Sequence, residues 1–170
     1  MVIALSAALA AASVTHLAAC GLGKSRLRYF TKLLLMPLVA ALYCALVDRP
    51  APAVLAAMFC GWVGDFFMIY KHKDAFLAAG MAAFGVGHIL YVAHIGVIAA
   101  AAEPRLFTAL AATLVPGAGW LLAGGCLFLC SDGILSFETF RDGDSNAADV
   151  AVMLTYIAAQ TLLAIGFSMG

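Results

Sequence analysis

Residues 55–70, LAAMFCGWVGDFFMIY, place one carboxylate, Asp65, inside an otherwise apolar run. An ionised carboxylate costs about 2.5–3.5 kcal/mol at the centre of a membrane helix, so it should face the protein interior or a wet cavity. A second carboxylate, Asp132, has a similar setting in residues 124–135, GGCLFLCSDGIL. The pair marks a candidate functional centre. The alternative is that each carboxylate lies near a membrane edge and faces water.

The composition is that of an integral membrane protein. Of 170 residues, 65% are hydrophobic and 11% are charged, whereas soluble domains are about 45–50% apolar and about 25% charged. Nine Lys and Arg balance nine Asp and Glu, and basic clusters with interleaved aromatic residues are missing, which argues against nucleic acid as a partner and favours membrane lipid. No linker divides the sequence, so residues 1–170 are expected to form a single integral membrane domain.

The sequence does not indicate a metal site or another cofactor. All five cysteines lie in apolar stretches and are interpreted as small buried side chains. Cys126 and Cys130 are four residues apart on one helical face, but a structural zinc site needs about four ligands and no second pair is offered. His16 is interpreted as a satisfied histidine near a helix end. We therefore expect no metal and no cofactor.

The apolar segments predict an all-α, polytopic transmembrane helix bundle of about six spans, since a hydrocarbon core takes about 20 residues to cross. Pro-containing turns are predicted at residues 48–52 and 103–105, because Pro cannot donate a hydrogen bond within a helix. The fifth segment is too long for one comfortable span and too short for two, so we assign one span, interrupted near Pro116. The six predicted spans cover residues 1–23, 33–47, 53–70, 75–101, 106–137 and 150–167.

The basic residues fix the orientation of these spans under the positive-inside rule. With both termini outside, most of the basic residues fall on the cytoplasmic side, and Arg49 and Arg105 fall outside. Asp65 and Asp132 then lie on helices that run in the same direction, each shortly before a cytoplasmic segment. The two carboxylates can therefore sit at similar depth. The seven basic residues on the cytoplasmic side are Lys24, Arg26, Arg28, Lys32, Lys71, Lys73 and Arg141.

Other polar side chains share this side of the bundle. Lys32 and Tyr156 begin their spans there, Gln160 lies one helical turn from Tyr156 on the same face, and His88 lies near the middle of the fourth span. Two neighbouring carboxylates can share one proton and so supply an acid and a base. Such a pocket suits acid–base chemistry, a proton relay or solute transport, and the spacing alone leaves these alternatives open.

The polar residues belong to an ordered set of motifs that resembles the YhhN-like membrane lysoplasmalogenases over about residues 31–163. Leu33 stands where this family usually has Pro. Family members usually have about eight spans, so two helices between the His88 span and the Asp132 span are expected to be absent here. The motifs are Thr31-Lys32-x-x-x-Met36-Pro37, Gly64-Asp65, Phe84-x-x-Gly87-His88-x-x-Tyr91, Phe128-x-x-Ser131-Asp132, and Tyr156-x-x-Ala159-Gln160 with Leu163.

The resemblance implies hydrolysis of the vinyl ether of a lysoplasmalogen, a lysophospholipid, to a fatty aldehyde and a glycerophospho-alcohol. Protonation of the β-carbon of an enol ether gives an oxocarbenium ion, which water captures as a hemiacetal that collapses. Asp65 and Asp132 would be the catalytic pair, one as general acid and the other to stabilise the cation and activate water. The pocket residues implied beside them are Lys32, His88, Tyr91, Tyr156 and Gln160.

Two other functions remain open at this point. A non-catalytic lipid-binding or transporter-like membrane protein would use the two aspartates as polar contacts between helices or as a relay. A metal-dependent membrane hydrolase would need about three converging ligands, and His88 is the one well-placed histidine.

We predict that residues 24–28 and 71–74 face the cytoplasm, while both termini and the turns at 48–52 and 103–105 face away from it. In a variant that lacks the native cysteines, Lys24→Cys should be protected from a membrane-impermeant thiol reagent added outside, and Arg105→Cys should react. Equal labelling of both positions from outside would contradict this topology.

Overall fold

The computed structural model describes residues 1–23, 25–70, 73–101, 117–140 and 145–169, with residues 25, 99–101 and 138–140 described by their backbone alone. These ranges form α-helices and contain no strand, which confirms the predicted all-α polytopic membrane bundle. The six helices are α1 (Val2–Gly21), α2 (Ser25–Leu46), α3 (Pro52–Met68), α4 (Asp74–Ala101), α5 (Ala118–Phe140) and α6 (Asn146–Ser168).

The helix lengths fit a chain that crosses the membrane several times. Within the described ranges, α1, α2, α4, α5 and α6 are long and apolar enough to span a bilayer. α3 has 17 residues, the lower end of the length that crosses the hydrocarbon core. α4 has 28 residues, more than the core needs, so it tilts or protrudes. The protein is a multi-pass integral membrane protein.

The connection between α2 and α3 is the turn predicted from the sequence. α2 ends at Leu46, and α3 begins at Pro52, where the missing N–H of proline leaves no hydrogen bond unmade. The backbone N–H of Ala51 donates to the hydroxyl of Tyr43 on α2 over 3.1 Å. This bond fixes the turn against the preceding helix. The predicted turn at residues 103–105 lies outside the described residues.

Several helices continue beyond the apolar spans predicted for them. α2 begins at Ser25 rather than at residue 33, α5 continues to Phe140 and α6 begins at Asn146. Hydropathy marks only the apolar part of a helix, whereas backbone hydrogen bonds continue it into polar residues. The charged residues Arg28 and Asp149, which lie outside the predicted spans, are therefore on helices. Residues 106–116 of the predicted fifth span lie outside the described residues.

Helices that follow one another in the chain pack as three pairs, and α2 and α6 make most of the contacts between the pairs. The pairs are α1 with α2, α3 with α4, and α5 with α6; α2 also contacts α3 and α6, and α6 also contacts α1. The interior is mainly apolar, but five helices each contribute one fully buried polar side chain from the described residues. These side chains are His16, Thr31, Asp65, Ser131 and Gln160.

Small residues bring α3 and α4 close together. A Cβ atom on Gly64 would lie 2.8 Å from a ring carbon of Phe84, and a Cβ atom on Gly87 would lie 3.1 Å from the carbonyl oxygen of Ala57. Glycines at such positions let membrane helices approach backbone to backbone. Because Gly64 directly precedes Asp65, the close approach also determines where that carboxylate lies.

We predict that Gly64→Ala lowers the unfolding midpoint in detergent, because the added methyl group displaces the Phe84 ring and overpacking costs about 1–3 kcal/mol. Gly85→Ala is the matched control, since a Cβ atom there meets nothing within 4 Å. Thermal unfolding of the two purified variants tests this. Equal midpoints would show that the α3–α4 contact tolerates a side chain at Gly64.

Candidate active site

Side chains from all six helices enclose one polar cavity of about 60 Å³. A water takes up about 30 Å³ in the liquid, so the cavity has room for roughly two waters. Both aspartates selected from the sequence line it. The charged and hydrogen-bonding side chains on its wall include His16, Arg28, Lys32, Asp65, Ser131, Asp132, Asp149 and Tyr156.

Asp65 lies at the buried end of the cavity and bridges three helices. Its side chain is 2% exposed, and the Lys32 ammonium of α2 lies 3.4 Å from its Oδ1. The Tyr156 hydroxyl of α6 donates to Oδ2 over 2.9 Å. Each carboxylate oxygen therefore faces a donor, which is the hydrogen-bonding pattern of an ionised carboxylate.

Asp132 has a different environment, paired with His88 on the more open side of the cavity. The Asp132 side chain is 39% exposed, and its Oδ2 lies 3.7 Å from His88 Nε2. His88 Nδ1 lies 2.8 Å from the carbonyl oxygen of Phe84, so Nδ1 carries a proton and donates it. In a neutral ring Nε2 is then an acceptor. His88 Nε2 is buried, and among the described residues it has no hydrogen-bond partner.

The contact between Asp132 and His88 needs a third participant, because neither facing atom is a donor when the ring is neutral and the carboxylate ionised. A carboxylate oxygen and a bare imidazole nitrogen are both acceptors, so they face each other favourably only when one of them is protonated or a water bridges them. Asp65, by contrast, accepts from two donors. The two aspartates therefore differ in their surroundings, since Asp65 is buried between two donors and Asp132 is half-exposed beside an acceptor nitrogen.

Aromatic rings hold the two halves of the site together. The Phe128 ring packs edge-on against His88 at 4.1 Å and against Tyr156 at 5.6 Å. Phe84 packs on Tyr156 at 6.0 Å from the α4 side. The Ser131 hydroxyl donates to the Val152 carbonyl over 3.1 Å and ties α5 to α6 beside Asp132. These contacts leave the Asp132–His88 and Asp65–Tyr156 pairs little freedom to separate.

Tyr91 and Gln160 do not line the cavity, and His88 lies behind the wall beside Asp132, which corrects the sequence-based expectation for these three residues. The Tyr91 hydroxyl donates to Gln160 Oε1 over 3.0 Å in a separate buried contact between α4 and α6. Each lies one helical turn beyond its partner in the site, Tyr91 after His88 and Gln160 after Tyr156. The faces were predicted correctly, but one turn moves a side chain about 5.4 Å along the helix axis.

Arg28 and Asp149 belong to the cavity wall and form an ion pair there, although the sequence analysis treated both as charges outside the spans. Arg28 and Lys32 are four residues apart and share a helical face. Extending the predicted α2 past its apolar part would therefore have indicated Arg28 as a cavity residue. His16 also lines the wall. It is satisfied as expected, by a 2.7 Å hydrogen bond with the Thr31 hydroxyl.

The fold and the site define a polytopic α-helical membrane protein with a carboxylate-lined polar cavity among its helices. The chain matches the YhhN family model over residues 27–119 and 106–167, and it belongs to that family. The two matched segments overlap at residues 106–119, which follow the His88 helix and include the start of the Asp132 helix, the part of the chain where the resemblance implied that two helices are absent.

Over 141 residues the chain is 30% identical to the human protein named lysoplasmalogenase TMEM86B, covering 63% of this chain and 59% of the human protein. The chain thus spans about three-fifths of the length of this relative. No solved structure matches the chain.

We predict that Lys32→Met lowers thermal stability in detergent, because it leaves the Asp65 carboxylate buried without its cation, and breaking a buried pair costs about 3–5 kcal/mol. Adding Asp65→Asn should recover most of the loss, since the uncompensated charge is then gone. Lys73→Met, at an exposed lysine that does not line the cavity, is the control. Additive losses in the double variant would contradict a direct Lys32–Asp65 coupling.

Proposed function

We propose that this chain is a lysoplasmalogenase, which hydrolyses the vinyl ether of a lysoplasmalogen to a fatty aldehyde and a glycerophospho-alcohol, with Asp65 and Asp132 as its catalytic pair. The proposal depends on one observation above all, that both aspartates line one cavity with different neighbours, Lys32 and Tyr156 at Asp65 and His88 at Asp132. Membership of the YhhN family and the similarity to the human lysoplasmalogenase support this reaction class.

In the proposed reaction, one water molecule is added and the carbon–oxygen bond to the alkenyl chain is broken. A proton is first added to the β-carbon of the vinyl ether, and the electron pair of the double bond forms the new C–H bond. The resulting oxocarbenium ion is positive at the carbon next to oxygen. Water attacks that carbon and loses a proton, and the hemiacetal collapses to the aldehyde and the free hydroxyl of the glycerol.

We assign the general acid to Asp132 together with His88, because a proton on either group would have no hydrogen-bond partner among the described residues other than the facing group of this pair. A positioned acid of this kind typically contributes about 10²–10⁴-fold. The Nδ1–H bond to the Phe84 carbonyl would hold the His88 ring with Nε2 towards Asp132, which lines the cavity. Asp132 is also the more exposed aspartate, so it can recover a proton from water after each turnover.

We assign the stabilisation of the oxocarbenium ion to Asp65. Its negative charge is held in place by Lys32 and Tyr156 before the substrate binds, and preorganised charge of this kind needs no reorganisation when the cation forms. The attacking water would lie beside the same carboxylate, which can accept its proton. The cavity of about 60 Å³ is too small for the alkenyl chain, which has to lie elsewhere.

The competing function is a non-catalytic lipid-binding or transporter-like protein. The observation in its favour is that Asp65 is fully satisfied by Lys32 and Tyr156, as expected for a polar contact between helices. In that case replacing the carboxylate by an amide should change thermal stability but no reaction rate.

We predict that Asp65→Asn and Asp132→Asn each lower vinyl ether hydrolysis by about 10²–10⁴-fold, because Asn neither donates an acidic proton nor carries a stabilising charge. The double variant should be little slower than either single variant, since residues that act as a unit are not additive. Release of fatty aldehyde from a lysoplasmalogen by detergent-purified protein is the measurement.

Two controls accompany these variants. Asp74→Asn changes an exposed aspartate that does not line the cavity and should leave the rate unchanged. For the unsubstituted protein, reaction in D₂O with rapid trapping of the product should place one deuterium on the carbon next to the aldehyde. Retained turnover in both Asp→Asn variants would reject the aspartates as the catalytic pair, and absent turnover in the unsubstituted protein would favour the non-catalytic function.

A further inference from the structure

We propose that the lipid substrate lies along α2, with its phosphate on Arg28, its vinyl ether beside Lys32 and its hydrocarbon chain in an apolar groove between α2 and α3. This inference rests on the proposed function and extends it. It assigns two binding sites outside the catalytic pair: a phosphate site at the mouth of the polar cavity, and a hydrocarbon site on the outer surface of the bundle.

Arg28 is built to hold an anion at the mouth of the cavity. Its side chain is 24% exposed, against 18% for Lys32 and 2% for Asp65, so the three residues run from the mouth to the buried end. Asp149 engages Arg28 at Nη1. A guanidinium has five N–H donors in a planar fork that suits phosphate, so Asp149 can orient the group while other donors meet the ligand.

The spacing between Arg28 and Lys32 fits the substrate. The two residues are four positions apart on one face of α2, which is a rise of about 6 Å. In a lysoplasmalogen five bonds join the vinyl ether oxygen to the phosphorus. Since three bonds of an extended chain span about 3.8 Å, five span about 6 Å. A phosphate on Arg28 therefore places the vinyl ether near Lys32 and Asp65.

The groove between α2 and α3 suits a hydrocarbon chain. It encloses about 350 Å³, several times the volume of the polar cavity, and its walls include Met36, Ala40, Leu55, Phe59 and Trp62. The indole N–H of Trp62 donates to the Leu33 carbonyl over 2.9 Å. That carbonyl is available because Pro37, four residues later, has no N–H. The polar atom of the groove is thus satisfied, and what remains is apolar.

Met36 stands between the groove and the polar cavity. It lines the groove, and its methyl group lies 3.5 Å from where a Cβ atom on Gly61 would be, with the Tyr156 hydroxyl 3.4 Å from the same point. Tyr156 lines the cavity and donates to Asp65. An unbranched methionine side chain can move aside easily. Along α2 the order is therefore anion site, polar site and apolar groove, which is the order of groups in the lipid.

The phosphate site is tested by kinetics of Arg28→Gln on a lysoplasmalogen. We expect KM to rise roughly 10- to 100-fold, the range for losing a hydrogen bond to a charged group, with kcat nearly unchanged. Arg26→Gln, an exposed arginine on the same helix, should behave as the unsubstituted protein. If the ion pair only joins α2 to α6, the charge-swapped variant Arg28→Asp with Asp149→Arg should restore KM. An unchanged KM in Arg28→Gln, or restoration by the swap, would overturn the phosphate site.

The hydrocarbon site is tested by filling the groove. Ala40→Phe should weaken the binding of long-chain substrates much more than that of short-chain substrates. The ratio of kcat/KM for the long-chain substrate to kcat/KM for the short-chain substrate should therefore fall. Ala41→Phe adds the same ring at the neighbouring exposed position, outside the groove, and should leave the ratio unchanged. Equal ratios in the two variants would overturn the assignment of the groove.

A non-hydrolysable ligand separates this inference from the proposed function. A 1-O-alkyl lysophospholipid has the same phosphate and chain without the double bond, so its binding to purified protein needs no catalysis. If the ligand binds in an Arg28-dependent way but no substrate is turned over, the phosphate and hydrocarbon sites are supported and the proposed reaction is rejected. If the unsubstituted protein turns over the substrate but neither Arg28→Gln nor Ala40→Phe changes ligand binding or KM, the reaction is supported. The phosphate and hydrocarbon sites are then rejected.

Discussion

The structure depends on the cost of burying Asp65. A carboxylate within the apolar part of the bundle is tolerated only with partners, and these come from two other helices, Lys32 on α2 and Tyr156 on α6. α3 carries the charge, so these three helices have to meet at one depth and in one rotational setting. The glycine before Asp65 brings α4 against the same point through Phe84. The polar cavity is a consequence of this convergence.

The family motif on α2 can be explained residue by residue. Thr31 holds the buried His16 of α1, Lys32 meets Asp65, and Met36 fills the space over Gly61. Pro37 leaves the Leu33 carbonyl for the Trp62 indole. Each residue of the motif therefore joins α2 to a neighbour, and only Lys32 belongs to the candidate chemistry itself.

The sequence was enough to predict the helices and the two aspartates, because apolar runs of sufficient length and charges inside them leave few alternatives. It was not enough for Arg28 and Asp149. Charges beyond the apolar part resemble loop residues until the helix is known to continue through them. Tyr91 and Gln160 show a second limit of the sequence, because both were expected in the pocket and neither lines it. Periodicity fixes the face of a helix but not the depth at which neighbouring helices cross, and a shift of one turn separates a cavity wall from a contact behind it.

The groove lies on the outer surface of the bundle, where Phe59 is 62% exposed, so a hydrocarbon chain in the bilayer reaches it sideways. Drawing such a chain into water would cost about 0.8 kcal/mol for each CH₂ group. Lateral entry avoids that extraction. The two products of vinyl ether cleavage would then part by solubility, since the aldehyde stays in the hydrocarbon and the glycerophospho-alcohol dissolves in water. Partition between the two solvents would empty the site and oppose reversal of the reaction.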